Sequence, residues 1–212
     1  MQLQEAAIDI YEKTLSLVDP SRIIPDSVDW DESKGQLTIK DQQFSVEKDQ
    51  PIYIIGAGKA SVQMALGIES VMKGRIKDGI VISPDPYKGD SKTQVFVGSH
   101  PLPDKESLSS SYELVSFLQK IPDNSFVINL ISGGASSLFC LPAGDLEIEE
   151  VRDIYSLLIE SGARIHDINT VRKVFSSVKG GQLLQHLKGK HVVDLMISDI
   201  TDYDIRMIGS GP

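Results

Sequence analysis

The segment PIYIIGAGKAS, residues 51–61, decides the fold class of this chain. Its first half is a short run of β-branched and aromatic residues, which is typical of a buried strand. The run ends abruptly at Gly56-Ala57-Gly58, and beyond it apolar residues from Met64 to Met72 recur at helical spacing. The segment therefore predicts a buried strand that turns through glycines into a helix.

The alternation of apolar strands and amphipathic helices continues along the rest of the chain. Further strands are predicted over 79–83, 94–98, 126–131 and 191–197, and further helices over 107–120, 146–161 and from 180 to 187. This order indicates an α/β fold: a doubly wound, mostly parallel Rossmann-like sheet with helices on both faces. We predict one domain over 1–212, in which 1–50 form an extension with a helix over 4–18 and a hairpin over 36–47.

The composition excludes several classes of protein. Of the 212 residues, 41% are hydrophobic and 24% are charged, which is typical of a globular domain. The formal charge of −9 is opposite to that of most nucleic-acid-binding domains. Cys140 is the single cysteine, so an internal disulfide is excluded and a reducing compartment is indicated. Because the first helix carries acidic residues and no apolar run approaches about 20 residues, we expect a cytoplasmic protein without a membrane segment.

The turn that contains Gly56, Gly58 and Lys59 is the first candidate anion site. Glycines let the backbone pass close to a ligand, and the free N–H groups at the start of the next helix point at an anion. We therefore predict that Gly56 and Gly58 bind a nucleotide phosphate. The alternative is a plain glycine turn with a solvated lysine.

Two familiar phosphate motifs do not fit this turn. A Walker A loop would need glycine at position 53 and serine or threonine at 60, but the chain has Tyr53 and Ala60. A dinucleotide fingerprint would need glycine or alanine where Ser61 stands, and Asp85 serves only weakly as the acid that binds ribose. The turn is therefore neither a P-loop nor a convincing nicotinamide site.

A second glycine loop, Ser132-Gly133-Gly134 with Ser136 and Ser137, follows the strand predicted over 126–131. Two glycines followed by hydroxyl residues can surround phosphate oxygens with a nest of amide groups. We predict that these five residues bind phosphate. A tight strand-to-helix turn with a serine cap is the alternative, and it is compatible with binding.

Basic residues concentrate between 164 and 190 in a chain that is otherwise acidic. Arginine offers a planar fork for a carboxylate or phosphate, and lysine adds a point charge. We predict that Asn169, Arg172 and Lys173 bind the substrate and that Lys179 binds phosphate. For each of them the alternative is a basic surface strip.

Two further groups lie close to predicted strand ends. Asp199 and Asp204 follow the last strand, and carboxylates beside phosphate loops suit Mg²⁺. An aspartate-rich turn is the alternative, and it fits Asp202 best. His100 lies between a strand and two prolines, and we interpret it as structural rather than as a substrate contact.

Taken in order, five segments resemble the glycerate 2-kinase family, whose second half is the MOFRL domain. They are IYIIGAGKAS at 52–61, GSHPLPDKES at 98–107, NLISGGASSL at 129–138, INTVRKVFSSVKGGQL at 168–183 and SDITDYDIRMIGSGP at 198–212. The resemblance covers the chain from about residue 1 to the end. It implies that the chain is the N-terminal domain of such an enzyme and that the MOFRL-type domain is absent from it.

The resemblance also implies an activity: ATP- and Mg²⁺-dependent phosphoryl transfer to the 2-hydroxyl of glycerate, which gives 2-phosphoglycerate. Lys59 falls on the lysine of the family's GAGKA turn, which is implicated in phosphoryl transfer, so we predict that it is catalytic. The chain departs from the common family pattern at Ala135, Ser137, Gln182 and 202–203. We expect that the chain supplies one half of the active site, is inactive alone and forms a homodimer.

Two other functions stay open at this point. One is an NAD(P)H-dependent hydroxypyruvate reductase, against which Ser61 argues. The other is a truncated, non-catalytic module that binds a nucleotide. Because a cleft-closing domain is absent, we also expect an exposed apolar or poorly ordered surface near 208–212.

Overall fold

A computed structural model describes residues 3–198 and 205–211, without the side chains of 205–207. The strands are β1 (Val28–Asp31), β2 (Gln36–Ile39), β3 (Gln42–Ser45), β4 (Ile52–Ala57), β5 (Ile76–Ser83), β6 (Thr93–Val97), β7 (Phe126–Ile131) and β8 (His191–Met196). The α-helices are α1 (Leu3–Leu17), α2 (Pro20–Ile23), α3 (Ser61–Met72), α4 (Lys105–Lys120), α5 (Ala135–Leu138), α6 (Ile148–Glu160) and α7 (Ile165–Val174). Short 3₁₀ segments cover Gln182–His186 and Ile205–Ser210.

The main sheet has five parallel strands in the order β6-β5-β4-β7-β8. The chain runs outward from β4 to β6 and then returns to the other side of β4, where it adds β7 and β8. The strand order therefore reverses between β4 and β7, and ligands of open α/β sheets bind at such a point, outside the carboxyl ends of the strands. A separate antiparallel sheet holds β1, β2 and β3.

Alternate residues of β4 face two separate apolar clusters, because successive side chains of a strand point to opposite faces. One cluster joins β4 to α4, and the other joins β4 to α3 and to the small sheet. The first includes Tyr53, Ile55, Leu114 and Leu118, and the second includes Ile52, Ile54, Met64, Ile68 and Leu37. Burial of each such side chain contributes about 1.5–3 kcal/mol. Helices thus cover both faces, and the prediction of a doubly wound parallel sheet is confirmed.

The secondary structure differs from the sequence prediction at several places. Polar side chains, Asn169 and Arg172, occupy buried positions of α7, so its apolar periodicity is too weak to reveal a helix. The segment predicted as a helix from 180 to 187 is a 3₁₀ turn, because Gly181 has the left-handed φ of 83°. The strand β1 was missed because two of its four residues are aspartates.

The first helix, α1, has no buried residue, although the sequence predicts an apolar face for it. Ile8 and Leu15 are 52% and 49% exposed. Within the described ranges, no helix has the length and apolarity needed to cross a membrane.

Candidate functional site

The loops that follow β4 and β7 are tied together by hydrogen bonds at the carboxyl edge of the sheet. The Lys59 N–H donates to the Gly133 carbonyl at 2.9 Å, and the Ala60 N–H donates to the Ser132 hydroxyl at 3.0 Å. The Ser132 N–H in turn donates to the Ala57 carbonyl at 3.2 Å. The two predicted phosphate loops therefore form one continuous surface, which we call the loop wall (residues 58–60 and 132–136).

Two positions of the loop wall require glycine. Gly58 has a φ of 140°, and a Cβ there would lie 2.1 Å from the Ser132 Oγ. Gly134 has a φ of 90°, and a Cβ there would lie 3.0 Å from the His100 Cδ2 and 3.3 Å from the Lys59 Cε. The Lys59 stem and the His100 ring therefore lie directly against Gly134, and Lys59 itself is exposed.

A cavity of about 260 Å³ opens beside the loop wall. It is lined by residues that follow β6 and β7, by α7 and by the segment near the end of the chain. These residues are His100, Pro101, Gly133, Gly134, Ser136, Ser137, Ile165, Asn169, Arg172, Ile208 and Gly209. The cavity thus joins two of the predicted groups, the second glycine loop and the start of the basic segment.

Away from the loop wall, the cavity is bordered by buried polar side chains. We call Asn169, Arg172 and Ser210 the α7 wall. The Ser210 hydroxyl, which is fully buried, donates to the Asn169 Oδ1 at 3.1 Å. Its oxygen lies 2.7 Å from the Ser136 Oγ, so Ser136 is the donor of that second bond. This chain of hydrogen bonds links the two walls.

The segment 208–211 docks on the body of the domain. The Gly180 N–H donates to the Ser210 carbonyl at 3.3 Å, and the Gly181 N–H donates to the Gly211 carbonyl at 2.9 Å. Ile208 is only 6% exposed. The expected exposed apolar surface is therefore wrong for Ile208, because the glycine pair at 180–181 binds this segment through its backbone. Ser210 was missed in the sequence, where its position between two glycines indicated only a turn.

Arg172 is a buried cation without an anionic partner among the described residues. It is 9% exposed, and its guanidinium carbon lies 4.5 Å from the centre of the Tyr155 ring. Its Nε has no hydrogen-bond partner. Burial lowers the pKa of Arg172 from its ordinary value, yet an arginine side chain stays protonated in proteins. Because a buried unpaired charge is unfavourable, this side of the cavity favours an anion.

The lysines of the basic segment do not line this cavity. Lys179, predicted to bind phosphate, is 1% exposed, and its Nζ donates to the Phe139 carbonyl at 2.7 Å. Burial lowers the pKa of Lys179 below 10.5. The Lys173 side chain, predicted to bind substrate, lies against Gly180, where an added Cβ would be 3.4 Å from the Lys173 Cβ. Of the three basic residues predicted here, Arg172 reaches the cavity.

The remaining predicted residues are Gly56, Asp199 and Asp204. Gly56 lies inside β4 and pairs with Leu130 of β7, away from the cavity lining. Asp199 and Asp204, the predicted metal ligands, lie outside the described residues. Across 3–198 and 205–211, no group of three or more His, Cys, Asp or Glu side chains is arranged to hold a metal ion.

His100 lies at the cavity, where the sequence interpretation gave it a structural role. Its ring contacts the position of Gly134 and lines the same space as Arg172. The signal that could have found it is its place after β6, since the loops after β4 and β7 occupy the same sheet edge.

Comparisons of sequence indicate which proteins are similar to this chain. The sequence profile of DUF4147, described as a domain of unknown function, matches residues 6–212. A glycerate 2-kinase of Pyrococcus horikoshii is 34% identical over an alignment of 213 residues, which covers 100% of this chain and 47% of that protein. A D-glycerate 2-kinase of Thermotoga maritima is 29% identical and covers 99% of this chain and 47% of its own length. The chain spans about half the length of these curated relatives.

Two crystal structures have the same fold as this chain. One, of a Pyrococcus horikoshii OT3 protein, is 32% identical and superposes with a TM-score of 0.82 over 100% of this chain and 47% of the other. The second, of a Thermotoga maritima glycerate kinase, is 29% identical with a TM-score of 0.75 over 99% of this chain and 47% of the other.

Proposed function

The chain belongs to the DUF4147 family, and we propose that it supplies one half of the active site of a glycerate 2-kinase. The observation that carries this proposal is the cavity, where Arg172, whose Nε has no hydrogen-bond partner, lines the same space as the Gly133-Gly134 loop. An anionic acceptor bound at Arg172 would then lie beside a loop suited to phosphate. The names of the relatives from Pyrococcus horikoshii and Thermotoga maritima support the same reaction.

The described residues match the needs of phosphoryl transfer, which depends on positioning and on cationic stabilisation rather than on a covalent nucleophile. Within the loop wall, the amides of 58–60 and Ser132 donate inside the protein, so the amides of Gly133 and Gly134 would be the ones that bind phosphate oxygens of ATP. Lys59, exposed at the edge of the same loop, would stabilise the charge that develops on the transferring group. On the other side, Arg172 and Asn169 would hold the carboxylate and a hydroxyl of glycerate.

Mg²⁺ belongs to the proposal through Asp199 and Asp204, which follow β8 in the sequence. The ion would neutralise phosphate charge during transfer. The cytoplasmic location and the homodimer stay predictions of the sequence. Because the cavity is open on one side and phosphoryl transfer requires exclusion of water, we propose that this chain alone has negligible activity.

The test uses this chain alone and the same chain joined to the carboxyl-terminal half of the Pyrococcus horikoshii glycerate 2-kinase, which we call the joined protein. Each is assayed with D-glycerate and MgATP, with the product identified by ³¹P NMR. Each is also assayed for NADH oxidation with hydroxypyruvate. We expect 2-phosphoglycerate from the joined protein and little from the chain alone. Oxidation of NADH without phosphoryl transfer would replace this proposal with a reductase.

A further inference from the structure

The face of a buried tyrosine ring supports the Arg172 guanidinium. Tyr155, on α6, is fully buried, and the guanidinium carbon of Arg172 lies 4.5 Å from the centre of its ring. The Tyr155 hydroxyl, buried beside Cys140, has no hydrogen-bond partner. The contact of Tyr155 with Arg172 is therefore made by the face of its ring.

Stacking on the Tyr155 ring fixes the position of the Arg172 guanidinium. Arginine has a long side chain with several rotatable bonds, and an ion pair with a carboxylate would normally fix it. No described carboxylate lies within ion-pair distance of Arg172, although α6 carries Glu149, Glu150 and Asp153 on its exposed side. The ring is therefore the contact that orients the guanidinium, by a cation–π interaction that strengthens when it is shielded from water.

We propose that Tyr155 is a positioning residue, which holds Arg172 so that its guanidinium receives the carboxylate of a hydroxy acid in the cavity. This inference rests on the proposed function for the substrate class and adds the residue that determines recognition of the carboxylate. An aromatic ring in place of a carboxylate partner leaves the charge of Arg172 uncompensated. The cavity therefore selects hydroxy acids over neutral polyols such as glycerol.

A purely structural role for Tyr155 makes a different prediction. Tyr155 also packs with Ile148 and Val151 of α6, and loss of a large core side chain lowers the stability of the domain. A core role would change the melting temperature without changing which ligands bind. The positioning role changes the affinity for carboxylates selectively.

The experiment measures ligand binding to the 212-residue chain by ¹H–¹⁵N NMR titration, so it does not depend on phosphoryl transfer. The probes are D-glycerate and, as the carboxylate-free comparison, glycerol. The variants are Tyr155→Phe, which keeps the ring, and Tyr155→Leu, which removes it. Tyr112→Leu, at an exposed tyrosine of α4, is the matched control.

We expect Tyr155→Phe to bind D-glycerate within about 2-fold of the wild-type dissociation constant, and Tyr155→Leu to bind it about 10-fold or more weakly, as expected for loss of a desolvated cation–π contact. Folding of Tyr155→Leu is checked from the dispersion of its amide spectrum, and if it does not fold, Tyr155→Met replaces it. Unchanged D-glycerate affinity in a folded variant without the ring would overturn the role of Tyr155 alone. Absence of D-glycerate binding by the wild-type chain, or equal binding of glycerol, would overturn the carboxylate site itself.

Discussion

The loop wall of the cavity is held by backbone hydrogen bonds between 58–60 and 132–136, whereas the α7 wall depends on the buried side chains of Asn169, Arg172 and Ser210. On the loop wall, the left-handed Gly134 lies against the stem of Lys59, whose exposed side chain adds a positive charge. On the α7 wall, one guanidinium is fixed by a ring and by burial. Backbone N–H groups donate hydrogen bonds to any phosphate ester. A fixed guanidinium, by contrast, binds a carboxylate more tightly than a neutral analogue of the same ligand. The comparison supports the proposal that one wall binds phosphate and that the other recognises the acceptor.

The largest expected effect concerns the positive charge of Lys59 on the loop wall. In the joined protein, Lys59→Ala should lower kcat by about 10²-fold or more, as seen when a preorganised electrostatic contact is removed. The melting temperature should stay unchanged because Lys59 is exposed. Steady-state kinetics and thermal denaturation measure the two quantities. Lys188→Ala, at another exposed lysine, is the control, and equal kcat values for the two variants would return Lys59 to a solvated surface role.

The second prediction tests whether Gly134 is needed for the positions of Lys59 and His100 as well as for the turn of the backbone. Gly134 and Gly74 have nearly the same φ, 90° and 89°, but a Cβ at Gly74 would meet nothing within 4 Å. Both alanine variants should lose about 1–2 kcal/mol of unfolding free energy through left-handed strain. Gly134→Ala should in addition displace Lys59 and His100 and lower kcat of the joined protein by about 10-fold, an energy of about 1.4 kcal/mol. Equal kcat values for the two variants would mean that Gly134 forms a turn and has no effect on the catalytic side chains.

The third prediction addresses the α7 wall. Arg172→Met should weaken binding of D-glycerate by about 10-fold or more, because a hydrogen bond to a charged group is worth about 1.5–3 kcal/mol. The free energy of unfolding without ligand should be unchanged or rise by up to about 2 kcal/mol, since an apolar side chain replaces an unpaired buried charge. Calorimetric titration and urea denaturation measure both. Arg152→Met, at an exposed arginine of α6, should change neither, and a large loss of stability in Arg172→Met alone would show a structural role instead.

The smallest expected effect comes from Lys179, behind the cavity. Burial lowers its pKa in the folded state below the ordinary value of 10.5, so the unfolded chain binds more protons in the window between the two pKa values. The free energy of unfolding therefore rises with pH in that window, with a slope of at most about 1.4 kcal/mol per pH unit. Lys179→Met has no titratable group at this position, so its free energy of unfolding lacks this pH dependence. Urea denaturation of both proteins from pH 7 to pH 10 should show a difference in stability that changes with pH, and parallel curves would contradict a lowered pKa.

The sequence predicted the loop wall better than the α7 wall, and the reason is physical. Gly58 and Gly133 each follow an apolar strand, and the carboxyl ends of adjacent parallel strands necessarily meet at one edge. The strand pattern alone therefore places their backbones. The same pattern covers His100, whose two prolines favoured a structural interpretation.

Residues of the basic segment could not be sorted in the same way. Arg172 and Lys179 both appeared as charges in a polar stretch, and their exposure depends on how α7 packs on Tyr155 and on which carbonyl Lys179 can reach. That information lies in tertiary contacts between residues far apart in the chain. Ser210 is a further example, since its partners Asn169 and Ser136 are 41 and 74 positions away.

The most direct test of the account locates the hydroxy acid on this chain. Its amide and arginine Nε resonances are followed by NMR while D-glycerate is added, first alone and then with inorganic phosphate. The account predicts that D-glycerate shifts the Arg172 Nε and Asn169 signals, and that phosphate shifts Gly133 and Gly134. The same spectra report on another cavity, of about 400 Å³, which is lined by Trp30 and Arg75 among others. Shifts confined to that cavity, with Arg172 and Gly133 unchanged, would contradict the assignment of the active site.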